Sequence, residues 1–180
     1  MRVQRMTVGI DGSESARRAL DWAAALAVQT GSEVVAVHVV GLLVDTPAGP
    51  VPSGPQLDQL RQLLEGEWIE GLRSAGVVHR CRLEEGNPVS GLLRVAAEDG
   101  ADLIIVGSRG AGGFSELHLG STSHQVALYA DRPVTIVPPA GRTLPPGLWG
   151  STTSPHESVR LVSGRLAGQP SLASGRELDV

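Results

Sequence analysis

A parallel α/β fold is what this sequence predicts, and three observations carry the prediction. Strand-like and helix-like segments alternate from the first residues to about Pro138. The apolar material is aliphatic, with 41% hydrophobic residues but only 3% aromatic ones, which suits the Val-, Ile- and Leu-rich strands of a sheet buried on both faces. Finally, the apolar run Asp102-Leu103-Ile104-Ile105-Val106 passes directly into a glycine-rich segment and then into a helical stretch, the strand-loop-helix order of an α/β unit.

The elements follow in order. Met6-Thr7-Val8-Gly9-Ile10-Asp11-Gly12-Ser13 reads as a strand ending in an acidic residue and a turn. Ala16, Ala19, Leu20, Ala23 and Ala27 then recur at helical spacing, and Thr30-Gly31 supplies a stop. Glu33 to Val40 is a second strand, on which His38 reads as a packed residue rather than a catalytic base. Gly41 to Pro55, with prolines at 47, 50, 52 and 55, reads as an irregular loop near the binding edge, either a cover for ligand or an inert insertion. Leu57, Leu60, Leu64, Trp68 and Leu72 place one apolar face on a single helix, with Trp68 as core or packing surface. Val77 to Leu83 is a third strand carrying the lone Cys81, and Asn87-Pro88 opens a helix with Val89, Leu92, Leu93 and Ala96 inward and a stop at Gly100. The strand Asp102–Val106, a helix from about Thr122 to Ala130, and the strand Pro133–Val137 complete the series.

The chemistry concentrates in Gly107-Ser108-Arg109-Gly110, nine further residues, and Gly120-Ser121. Glycines between a strand and a helix let backbone N–H groups approach an anion, and the positive end of the next helix adds attraction. Gly112 and Gly113 give the loop further turns. Asp11, at a strand's carboxyl end, has the placement of a ligand contact in an open α/β sheet. Its carboxylate either accepts ribose hydroxyls, helps hold a divalent cation near phosphates, or only closes an Asx turn before the helix. For Arg109, phosphate contact and a solvent-facing loop position both stay open.

Composition excludes several classes. All fifteen basic residues are arginines, so a P-loop lysine and a lysine Schiff base are both ruled out. A formal charge of −4 without a basic block argues against a nucleic-acid surface. No apolar stretch reaches bilayer length and the first residues do not lead into a signal-peptide core, so a cytoplasmic protein is expected. Ser121, His118, His124 and Asp131 contain the atoms of a hydrolase triad but lack the nucleophile-elbow setting, and the two histidines are poorly spaced for a shared metal. No general base is designated, so slow nucleotide hydrolysis is the most an enzymatic reading supports.

The glycine signature, Gly107-x-x-Gly110 followed after nine residues by Gly120-Ser121, resembles the nucleotide-binding motif of the universal stress protein family. Asp11 at the first strand's end and the glycine-x-proline turn at Gly86-Asn87-Pro88 extend the likeness, which covers about Val3 to Pro138. The resemblance implies a doubly wound five-stranded parallel sheet with helices on both faces, adenine nucleotide alpha hydrolase-like and Rossmann-like. It implies ATP, with or without Mg²⁺, as ligand. Gly107, Gly110, Gly120 and Ser121 would hold the phosphates with Thr122 and Arg109 beside them, Asp11 the ribose, and Gly9, Val39 and Val106 the base or its surroundings. It also implies a homodimer through the strand Val134–Val137, an edge that needs covering.

Residues 1–139 thus form one expected domain, and 140–180, rich in Gly, Pro and Ser, an expected disordered tail. The expected role is a dimeric, ATP-binding regulatory or stress-response module with no membrane or nucleic-acid partner. The alternative is a partner-binding dimer whose site is empty or takes AMP or cyclic AMP. A flavin-dependent electron-transfer protein on a similar fold is a third, weaker reading.

Overall fold

The computed structural model describes residues 2–41, 54–110 and 119–141. The chain divides into Met1–Arg142 and Thr143–Val180, and every described element belongs to the first unit. The tail reading, the loop expected over 42–53, the loop glycines Gly112 and Gly113, and His118 lie outside the described residues.

Five strands, β1 (Arg5–Gly9), β2 (Glu33–Val40), β3 (His79–Glu85), β4 (Leu103–Gly107) and β5 (Val134–Val137), form one sheet in the order β3-β2-β1-β4-β5. All pairings are parallel. The chain winds outward from β1 to β3 and then returns to β1's other side with β4, which is the doubly wound arrangement. Its reversal of direction falls between β1 and β4.

Strand alternation sends side chains to two cores. Met6, Val8, Val34 and Ala36 face one side, where α1 (Glu14–Thr30) buries Ala16, Ala19, Leu20, Ala23, Ala24 and Ala27. Val35, Val37, Ile104 and Val106 face the other, under α4 (Pro88–Glu98) and α5 (Ser121–Tyr129). The alanine stripe of α1 gives the helix a flat face, so it packs close to the sheet without large side chains. Ser13 caps α1 by accepting from Ala16 N–H, and Gly31 closes it at φ 70, a left-handed position that glycine adopts without a Cβ penalty.

The single helix expected over Leu57 to Leu72 is broken. α2 (Gly54–Glu65) stops before Gly66, a 3₁₀ turn spans Glu67–Ile69, and α3 (Glu70–Ser74) follows. Gly66 has φ −109 and ψ −100, and a Cβ there would stand 2.8 Å from the Gln62 carbonyl oxygen. The break lets Leu64, Ile69 and Leu72 all enter the α1-side core. α2 also begins earlier than expected, because Pro55 occupies a first-turn position where its missing N–H has no helical acceptor to lose. The third strand begins at His79 rather than Val77, since Val77 N–H bonds the Leu72 carbonyl and closes α3. Cys81, half-buried on β3, packs against the core, and burial raises its thiol pKa above the ordinary value.

An arginine–carboxylate lattice covers the β3 side of the sheet. Glu33 pairs with Arg5 and Arg80, and Glu84 with Arg82 and Arg94, while Glu98 joins the same two arginines. Burial raises the Glu33 pKa, but hydrogen bonds and charge from Arg80 and Arg5 outweigh it, leaving the carboxyl below its ordinary 4.5. Hydrogen bonding from Arg94, and then Arg82, lowers Glu84 and Glu98 as well. Because their folded values are depressed, these groups contribute stability that is complete above the unfolded glutamate value and lost as pH falls through the folded values. A thermal melt should therefore hold its midpoint down to about pH 5 and fall progressively below about pH 4. Glu33→Gln should lower the midpoint at pH 7 and flatten this acid limb, and an unchanged acid limb in that variant would remove Glu33 from the account.

Candidate functional site

The cleft opens at the carboxyl ends of β1, β2 and β4, at the point where the winding reverses, which is where open α/β sheets bind ligands. Its space, counted out to the open mouth and the solvent there, is about 600 Å³. Two chemically different ends meet in it.

One end is apolar. Ile10, Val37, Val39, Leu92 and Val106 line it, and Pro88 borders it at the start of α4. Gly9 keeps its floor open: a Cβ there would lie 3.2 Å from Leu92 Cδ2 and 3.3 Å from Val106 Cγ1. Gly91 allows α4 to press onto Val39, since its Cβ would stand 2.9 Å from Val39 Cγ2. Such a slot suits a flat ring system with backbone groups at its rim.

The other end is polar and dominated by backbone. Gly107 closes β4 against the first turn of α1, and a Cβ on it would stand 2.5 Å from Ser15 Oγ and 2.6 Å from the Ser15 carbonyl oxygen. Ser15 Oγ accepts from Arg109 N–H at 3.2 Å, which fixes the loop's path. Gly110 leaves room for the Asp11 carboxylate, whose Oδ2 would lie 2.7 Å from a Cβ there. Oδ1 of Asp11 accepts from Ser13 N–H at 3.0 Å, so the Asx turn considered from sequence does form, and the same carboxylate still faces the cleft.

The loop returns to α5 through Gly120, whose N–H donates to the Ser108 carbonyl at 2.7 Å. Gly120 precedes α5 with no side-chain cap among the described residues, the setting in which first-turn N–H groups of a helix can meet a ligand or water. Ser123 Oγ donates to the Gly107 carbonyl at 2.6 Å and locks the helix start onto the end of β4. Among the described residues, Arg109 and Asp11 are the charged side chains lining the cleft. Arg109 keeps its Nε buried without an acceptor among the described residues, and Ser108 does the same with its hydroxyl.

Of the residues singled out in the sequence, Gly9, Asp11, Val39, Val106, Gly107, Arg109, Gly110 and Thr122 line this one cleft. Gly120 and Ser121 are not among the residues that line it: Gly120 gives its N–H to the Ser108 carbonyl, and Ser121 is exposed at the helix start. His38 lines the cleft yet has a structural partner, its Nδ1–H donating to the Ile10 carbonyl at 2.7 Å. Sequence reasoning missed Leu92 and Ser123 as site residues. Leu92 was legible only as an inward helical position, and nothing in the sequence showed that Ser123 would bond β4.

The sequence profile of the universal stress protein family matches residues 2–138. The chain belongs to the universal stress protein family. Universal stress protein YxiE of Bacillus subtilis is 35% identical over 144 residues, covering 74% of this chain and 97% of that protein. Among solved structures, a universal stress protein in complex with cAMP is 26% identical with a TM-score of 0.61, covering 76% of this chain and 98% of its own. The universal stress protein from Archaeoglobus fulgidus in complex with dAMP, 24% identical with a TM-score of 0.59, shares the fold over 76% of this chain and 99% of its own. The five-stranded universal stress protein architecture is thus established for this chain. Among the described residues, no helix is long and apolar enough to cross a membrane.

Proposed function

We propose that this universal stress protein binds an adenine nucleotide, ATP in its resting complex, and acts as a homodimeric regulatory module whose state follows nucleotide occupancy. The observation that carries the reading is the pairing, in one cleft, of an apolar slot under Leu92 and Val106 with a glycine loop and an uncapped helix start. The slot takes the base, Asp11 the ribose hydroxyls, and the backbone of Gly107, Gly110 and Ser121 the phosphates, with Thr122 and Arg109 beside them, while Gly120 gives its N–H to the Ser108 carbonyl and holds the loop to the helix start. That a 26% identical relative forms a complex with cAMP supports an adenine nucleotide as the class of ligand.

Backbone N–H groups suit a phosphate in a chain that has no lysine to offer. Arg109, whose Nε has no acceptor among the described residues, supplies the one charged donor among the described residues that line the cleft. A Mg²⁺ ion would fit beside Asp11 only as a companion of the bound phosphates. The edge of β5 supplies the dimer contact, because β4 covers one of its sides and its other backbone edge needs a partner.

Denaturing the freshly purified full chain and identifying released small molecules by chromatography and mass, then titrating ATP, AMP and cyclic AMP into the stripped protein by calorimetry, tests the reading. ATP is expected to co-purify or to bind most tightly, and light scattering should give twice the 18.7 kDa chain mass. A protein that releases nothing and binds none of the three would overturn the nucleotide role and leave a partner-binding dimer. Preference for AMP or cyclic AMP would retain the site and replace the ligand.

A further inference from the structure

We infer that Trp68 is a positioning residue of the nucleotide cleft, an aromatic buttress that holds the Ile10–Ser13 turn and His38 in the shape the ligand meets. The inference rests on the nucleotide-binding reading and adds to it a residue that does not line the cleft itself.

Three contacts converge on this indole. Gly12 stands at φ 76 directly beneath it, so closely that a Cβ there would lie 2.7 Å from Trp68 Cζ2 and 2.9 Å from Cε2. His38, a lining residue of the cleft, meets the same indole edge-on with ring centroids 5.0 Å apart and an interplanar angle of 77°. His38 is in turn tied to the Ile10 carbonyl, so Trp68, His38 and the turn that carries Asp11 form one packed unit. Edge-to-face aromatic pairs have a preferred geometry beyond simple apolar burial, which makes the contact directional.

The fold goes to some length to deliver this ring. The helix break at Gly66 and the 3₁₀ turn Glu67–Ile69 place Trp68 between Leu64 and Leu72, both fully buried, with Ile69 as a further anchor. α3 is also held tightly to α1, since a Cβ on Gly71 would stand 2.9 Å from Asp21 Oδ1. A ring mounted on core residues and pressed against a glycine turn restrains that turn. Restraining Asp11 and His38 before the ligand arrives lowers the ordering cost of binding.

The test uses the full chain and ATP. In a Trp22→Phe, Trp149→Phe background Trp68 is the sole tryptophan of the three, and its emission should change saturably with ATP at the midpoint found by calorimetry. Trp68→Leu keeps apolar bulk but removes the flat ring, and should weaken ATP by about tenfold, whereas Trp68→Phe should stay within about threefold of the unmodified chain. Circular dichroism and melting curves establish that both variants are folded. If Trp68→Leu is folded and binds ATP as the unmodified chain does, or if Trp68 emission ignores saturating ATP, the inference is overturned. An unmodified chain that binds no adenine nucleotide would overturn the functional reading first, and the Trp68 role with it, an outcome distinct from failure of the variant comparison alone.

Discussion

Replacing Gly107 by alanine should cost about 3 kcal/mol of stability, the upper end of what overpacking a buried site costs, and remove nucleotide binding with it. Gly107 is the last residue of β4 and is buried. The added methyl would stand 2.6 Å from both the carbonyl carbon and the carbonyl oxygen of Ser15, which belong to the backbone of α1 and cannot rotate away. Relief requires α1 to lift from the sheet or β4 to shift. Either movement disturbs the alanine stripe of α1, whose close contact depends on small side chains, and breaks the Ser15 bond to Arg109 N–H. The melting midpoint is expected to fall by roughly 10 °C. A Gly107→Ala protein that melts with the unmodified chain would show that the α1–β4 contact is looser than these distances state.

The second large effect is on binding with the fold retained. Gly110→Val should weaken ATP by at least about a hundredfold, some 2.7 kcal/mol, while shifting the melting midpoint by no more than a few degrees. Gly110 is exposed, so its side chain does not enter the core. Its Cβ would instead displace the Asp11 carboxylate, a side-chain atom that can move at little cost to stability. Valine would then occupy the space that phosphate oxygens need and push aside the carboxylate proposed to meet the ribose. Unchanged ATP affinity in a folded Gly110→Val protein would sink the placement of the phosphates on this loop. The two variants separate the places of the glycines, since Gly107 packs against α1 as well as lining the cleft, whereas Gly110 lines the cleft from an exposed position outside the core.

The sheet was legible because burial on both faces leaves a direct mark on composition. Val34 to Val37 and Leu103 to Val106 are runs that water would not tolerate, and every one of those residues is buried. Caps were legible for a similar local reason. Asn87 accepts from Val89 and Ser90 N–H groups within one turn, so its function depends on neighbours in sequence. The helix break at Gly66 was not legible. Leu57, Leu60, Leu64, Trp68 and Leu72 keep helical spacing through it, and periodicity reports which residues want burial without reporting whether the backbone between them is continuous. The glycine at 66 marked the place, but an isolated glycine within a helical pattern is tolerated often enough that it does not decide the matter.

By itself, then, the sequence determined the α/β class, the order of its elements and the glycine signature that resembles a nucleotide loop, because each of these is written in residues close together along the chain. Only the tertiary structure decided which of those residues share a cleft, that Ser15 and Ser123 hold the loop from two different helices, and that Trp68 lies on Gly12. Those facts come from strand order and helix placement, which bring together residues separated by dozens of positions, and side-chain contacts of that kind leave no periodicity to read.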